Sequence, residues 1–406
     1  MTFEHYLTYQ HNVQKYFHHH ADKYTGIVIP MSIAVAFAGG TYGFIRALCS
    51  RDSEKRYGID PRTPLFQKSW DRSNVRPPHE KVADELGPPF SDEGLTNRVE
   101  PSHFDTEEEL TAAVIRCLNF QLQFRMREED ERKLKKYKKL LGIEGEELHG
   151  LREPQFLVPP YFQFDSTSDD WFDVNRRAVR IACLQGHPVP IRPVLHFRDW
   201  GSVESWSETV GEMKARGANE LWLYPNNFHE HDASLDALQS YQTAVLESGG
   251  AGVRVFSLFG GYYAILMSAY GLSGFANGVG YGEWRDSGYH RGGSALLRIY
   301  IPQLHRYLDV PAAENLVEQD PEHFAGGDDL IATCVAEDRP LDDPSQEEWL
   351  DHFMACRQAE INFVLNEGID AARDQLQTTL ARLDEIGELE REQYGDSLER
   401  WIEATG

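Results

Sequence analysis

Residues 253–285, VRVFSLFGGYYAILMSAYGLSGFANGVGYGEWR, decide how the chain is read. A short apolar run ends in Gly260-Gly261, a helix-like segment follows, and a second run centred on Phe275 ends in Gly278 and Gly280. That pattern is two successive βα units. Glycine at the C-terminal end of a strand lets the backbone turn sharply or approach a ligand closely. In parallel barrels those strand ends carry the working residues.

The same pattern recurs outward from this stretch. Apolar runs centred on Ile27, Tyr57, Phe156, Val194, Leu221, Val255, Phe275 and Ile299 are strand candidates, most of them separated by a helix-sized segment. They predict a (β/α)8 TIM-type barrel over residues 26–310, an α/β fold. Residues 1–25 read as a helical lead-in and residues 68–105 as a proline- and charge-rich excursion from the barrel. Residues 311–406 read as a C-terminal helical segment, whose long helix opens with the capping box Ser345-x-x-Glu348. An open doubly wound sheet would carry a G-x-G-x-x-G loop after its first strand. Gly39-Gly40-Thr41-Tyr42-Gly43 has neither that spacing nor that position.

With 406 residues and 41% hydrophobic content, the chain can bury a large core. Its formal charge is −25, and only 11 of its 40 basic residues are lysine. Such an acidic, lysine-poor surface resembles that of halophilic proteins and opposes unassisted binding to nucleic-acid phosphate. Cys49, Cys117, Cys183, Cys334 and Cys356 are scattered without a C-x-x-C pair, which points to a reducing compartment, the cytoplasm. Residues 26–45 are uncharged and long enough to span a bilayer. Pro30 and the glycine cluster interrupt them and no signal-peptide layout precedes them, so a buried strand and core helix are expected rather than a membrane span. The basic run Lys133–Lys139 reads as a solvated helix face.

If the strands close a barrel, the residues just beyond them meet in one mouth. Asp60, Asp199 and Glu283 are the candidate catalytic carboxylates, since acid/base work needs two of them in unlike environments. Gln67, Tyr161, Gln163, His196, Arg198, Asn226, Tyr262, Asn277 and Arg285 would line the mouth with amide, aromatic and guanidinium groups, which suits a polar, planar ring substrate. Gly260, Gly261, Gly278 and Gly280 are candidate phosphate cradles, although no lysine lies nearby. Cys334, His352 and Cys356 have the look of a depleted zinc site. Ordinary structural roles stay open: a turn for Asp60, a cap or a pair with Arg198 for Asp199, a pair with Arg285 for Glu283.

The order of these features resembles the tRNA-guanine transglycosylase superfamily, including its relatives that insert deazaguanine bases into DNA. In that family a barrel strand ends in Asp-Ser-Gly-Gly-Phe-Gln, whose aspartate is catalytic; here Asp60 precedes Phe66-Gln67 with a longer spacer. The family's glycine-containing strand exit, the following strand with its nucleophilic aspartate, and the later arginine are similar to Gly260-Gly261, Phe275-Ala276-Asn277 and Arg285. Its zinc segment and the histidine opening a long helix are similar to Cys334 and His352-Phe353. Asn277 stands where a carboxylate is expected, and the C-x-C-x-x-C motif and a Gly-Gly-x-x-x-Gly-Glu stretch are absent. The resemblance implies an enzyme of N-glycosidic bond chemistry, with zinc as the cofactor and a small ring substrate or the nucleic acid carrying it as the partner. Two other readings compete: an inactive barrel that binds copies of itself or another protein through its C-terminal helices, and a metal-dependent barrel hydrolase.

Overall fold

The computed structural model describes residues 3–10, 14–69, 77–92, 97–126, 130–198, 200, 206–226, 228–280, 297–327 and 329–406. Seven parallel strands form one curled sheet: β1 (Glu4–Thr8), β2 (Gly26–Pro30), β3 (Arg56–Asp60), β4 (Val194–Phe197), β5 (Glu220–Pro225), β6 (Arg254–Ser257) and β7 (Leu272–Asn277). Their spatial order is β3-β2-β1-β7-β6-β5-β4, so the first strand lies in the interior of the sheet, between β2 and β7. Helices pack against the outer face, and alternation along each strand sends one set of side chains inward. Tyr6, Val28, Val194, Trp222, Phe256 and Ala276 meet inside the curl, together with Phe156 and Val158. Gly58 is required by that filling, because a Cβ there would sit 2.3 Å from the Phe156 ring.

Three sequence expectations change. The lead-in holds strand β1, whose apolar pattern is broken by the half-buried Glu4 and the buried His5, each held by specific partners. The Ile299 run is β8 (Arg298–Ile301), which pairs antiparallel with β9 (Arg306–Asp309) outside the parallel sheet. Only four residues separate these two strands, far fewer than a parallel crossover needs. The Phe156 run is not a ladder strand. Pro154, Pro159 and Pro160 remove backbone donors from it, and it meets the β4 edge through two isolated bridges, Leu157 to Ile191 and Phe164 to Phe197. Gln155 N donates to Tyr57 O at 2.8 Å on the β3 side, and Phe164 N donates to His196 O at 3.1 Å on the β4 side. The expected closed ladder of eight strands is therefore a curled sheet of seven, with residues 155–164 lying between its two edges.

Residues 26–45 form β2, the helix Met31–Ala36 and the start of helix Ala38–Arg51, and no helix among the described residues is long and apolar enough to cross a membrane. In helix Glu131–Leu140 the lysines ride on a partly exposed face while Tyr137 is buried against Phe44. The long C-terminal helix, Gln346–Ile386, opens with the expected Ser345–Glu348 capping box and breaks at Gly368, whose φ is +87°. The last helix, Asp396–Ala404, buries Trp401, whose Nε1 donates to Glu230 O at 3.1 Å.

The N-terminal end of the sheet is closed by charge. Arg192, 1% exposed, donates to Glu220 at 2.9 Å; Arg254 bridges Glu220 and Glu4, each at 2.8 Å. The Arg192 guanidinium carbon lies 3.7 Å from the Phe256 ring centre and 4.2 Å from that of Phe156. Removing one member of a buried ion cluster leaves the others uncompensated, which typically costs about 3–5 kcal/mol. Arg192→Ala is expected to lower unfolding free energy by about that amount in urea titrations, with Arg192→Lys recovering only part because it lacks the planar fork. A loss below about 1 kcal/mol would place the cluster with weak surface pairs.

Candidate functional site

At the C-terminal rim of the sheet the structure brings Asp60, Tyr161, His196 and Tyr224 together. Asp60 ends β3 and is buried; its carboxylate accepts from Tyr161 Oη at 2.9 Å, Arg62 Nε at 3.0 Å and Arg62 N at 3.1 Å. Arg62 holds φ +52°, so the turn after Asp60-Pro61 folds the guanidinium back onto the carboxylate. His196 stacks on Tyr224 at 4.0 Å with 6° between the rings, and Tyr161 meets His196 edge-on at 6.2 Å. A cavity of about 80 Å³ opens between Arg62, Leu65, His79, Tyr161 and Tyr224. Asn226 follows β5 and is partly buried. Asp199, Glu283 and Arg285 lie outside the described residues.

Other predicted residues are engaged elsewhere. Gln67 and Gln163 form a reciprocal pair, Gln67 Nε2 to Gln163 O at 2.9 Å and Gln163 N to Gln67 Oε1 at 2.7 Å, so the Gln67 amide fastens two backbone segments. Arg198 pairs with Asp165 at 3.0 Å on the exposed surface. Asn277 lies on the opposite strand face from Ala276, and its Oδ1 is 2.9 Å from His5 Nε2. Period-two alternation, which strand position alone did not convey, turns it away from the interior. Tyr262 is buried and stacks on His305 at 3.3 Å.

The phosphate cradle expected at Gly260 and Gly261 is filled from within the chain. Glu230 Oε1 accepts from Gly261 N at 2.7 Å and Ala264 N at 3.3 Å, and Oε2 accepts from Tyr263 N at 2.9 Å. The first-turn amides of helix Tyr262–Leu266 thus already hold an anion. Burial pushes the Glu230 carboxyl up while these amides pull it back. Gly278 is buried; Gly280 has φ +86°, and a Cβ there would meet Leu350 at 2.9 Å, which is reason enough for glycine without a ligand.

A second constellation lies along the long helix. A cavity of about 840 Å³ is lined by His305, Asp329, His352, Cys356, Glu360 and Phe363, among others. Donor atoms of Asp329, His352 and Cys356 all lie within 4.8 Å of one another. Cys334, expected beside them, lines a different pocket with Glu314 and Arg339, and Asp329 takes its place. His352 Nε2 bonds to Tyr300 O at 2.8 Å, which leaves Nδ1 as the acceptor nitrogen facing Cys356. Burial pushes the Cys356 thiol up and the His352 imidazole down. Next to this group, Glu360 binds His305 Nδ1 at 2.7 Å and Tyr300 Oη at 2.7 Å, with Arg357 at 2.9 Å. Sequence reading passed over Asp329, Arg357 and Glu360. The signal was present: His352, Cys356 and Glu360 recur every four residues on one helix face.

Comparison with models of known protein families and with curated proteins finds no match to this chain.

Several histidines are buried neutral. Burial lowers His5 from its ordinary 6.5 to about 4, against the pull of Asn277 and the Lys23 carbonyl; His231 and His305 are lowered for the same reason. In each case the unfolded chain takes up a proton first as pH falls, so the stabilisation is present above pH 6.5 and declines below it; for His5 it is lost on descent toward pH 4. For His5 alone the loss is up to about 3 kcal/mol. Chemical denaturation between pH 7 and pH 4 is expected to show this decline, with a shallower slope in His5→Gln; an identical slope would remove His5 from the account.

Proposed function

We propose that the chain is a transglycosylase-like enzyme acting on a nucleobase or nucleoside at the rim of the curled sheet, through carboxylate-based chemistry at an N-glycosidic bond. In this reading residues 155–164 serve as the eighth stave of a barrel, and strand ends from across the chain share one mouth. The observation that carries it is the convergence of Asp60, Arg62 and Tyr161 beside the stacked His196–Tyr224 pair and an adjoining cavity. Rings stack on such aromatic faces, and a carboxylate fixed by three donors is held in one orientation. Its oxygens are engaged, which fits a charge stabiliser better than the acid/base role its sequence position suggested. Asp199 and Glu283 then divide the remaining roles. One carboxylate attacks the sugar C1′ as the bond to the outgoing base breaks, and the other, as the carboxylic acid, gives that base its proton. In the reverse step it takes the proton back from the incoming base as the sugar is released from the nucleophile.

Incubation with labelled guanine analogues plus tRNA or DNA tests this. Label transfer by the wild-type chain, reduced about 100- to 10,000-fold in Asp60→Asn and in Glu283→Gln, is the expected result. No transfer by wild type would leave a binding or assembly subunit as the better reading.

Zinc fits as a resident ion at Asp329, His352 and Cys356 rather than at the set containing Cys334. What supports it is the donor set itself, a carboxylate, an imidazole whose other nitrogen is fixed by Tyr300 O, and a thiol, all within 4.8 Å. When bound, zinc would cross-link the start of helix Leu330–Ala336 to the long helix. Elemental analysis is expected to find about one zinc per chain, lost in His352→Ala and Cys356→Ala, with chelation lowering the melting temperature. A metal-free chain whose melting is indifferent to added zinc would refute this.

A further inference from the structure

The opposite end of the sheet from the rim carries a pocket of about 550 Å³, beside the starts of β3 and of the 155–164 segment. Its lining holds Lys55, Arg56, Arg125 and Arg152 against one carboxylate, Glu153. In a chain of net charge −25, four cations around one concavity run against the composition of the whole. Lys55, with its side chain 6% exposed, is tied to Tyr24 O and lies 4.3 Å from the Tyr24 ring centre, with Asp52 3.6 Å away. Arg125 shares Glu153 at 3.0 Å. Arg152 donates to Ser53 O at 3.5 Å, and no ion pair engages Arg56 or Arg152 among the described residues. Pro154, Pro188 and Pro190 form the other wall, which is rigid and offers no backbone N–H from those positions.

Guanidinium groups recognise oxyanions in bidentate fashion, and an apolar wall opposite them accommodates an organic moiety. We propose that this pocket binds a phosphate-bearing small molecule, with the phosphate among Arg56, Arg125 and Arg152 and the organic part against the prolines. The proposal is independent of the chemistry at the rim. A small ligand fits better than a polyanion, because the negative field of the chain repels an extended phosphate backbone beyond the pocket. At this end of the sheet the occupant acts through stability, since a ligand held only by the folded state raises its unfolding free energy by mass action.

Calorimetric titration and thermal melts of the full chain, with inorganic phosphate, pyrophosphate, adenosine monophosphate, succinate and short single- and double-stranded nucleic acids in turn, test it at 0.15 M salt. Expected are one saturable site for the phosphate compounds, a rise in melting temperature, and at least tenfold weaker binding in Arg56→Ala and Arg152→Ala. Arg56 is exposed, so its variant folds, and Lys136→Ala on helix Glu131–Leu140 serves as the unaffected control. Equal affinity for succinate would overturn phosphate selection. Binding of nucleic acid alone would replace the small ligand with a polymer surface, and binding unchanged by both arginine variants, or absent, would remove the site.

Discussion

A guanidinium shut inside a sheet needs partners, and much of this structure is arranged around the partners of Arg192. Glu220 from β5 and Glu4 from β1 converge on it, with Arg254 from β6 bridging them. These residues come from strands far apart in sequence, so their pairing fixes register: sliding any strand by one residue would withdraw its charge and leave the others unpaired in an apolar surround. Above the cluster the interior fills with Trp222, Phe256, Tyr6 and Phe156. His196 and Tyr224 at the rim therefore stand at the far ends of strands whose starts are pinned at or beside this cluster.

The glycine-rich βα units and their helices were legible because runs such as VRVF and LWLY are apolar and bounded by turn residues. Strand β1 was not, because its inward and outward positions include Glu4, His5 and Thr8, each suited to a particular site and none to a pattern. The 155–164 segment misled in the opposite direction: its composition is that of a strand, but its prolines restrict pairing to single bridges. Of the candidate site, Asp60, Tyr161 and His196 followed from strand-end position. Asn277 failed because position along a strand does not say which face, and Gln67 because a side-chain amide can serve backbone as readily as ligand.

The Glu230 plug illustrates a general ambiguity of glycine-rich strand exits. Exposed amides at a helix start attract an anion, but the anion can be the protein's own. Nothing near Gly260 in sequence reveals a carboxylate thirty residues upstream, and the three hydrogen bonds it receives are visible only once the fold is assembled.

The interior place of β1 in the sheet has a consequence for biosynthesis. Of the seven strands it is the first to be translated, and β2 follows soon enough to cover one flank, but the other flank waits for Gly274 and its neighbours. During that interval an unsatisfied strand edge, bearing Glu4 without its cationic partners, is open to mispairing with other nascent chains. Glu4, His5 and Thr8 make that edge a poorer template than an apolar one. The features that concealed this strand from inspection of the sequence are thus of the kind that discourages edge-to-edge pairing.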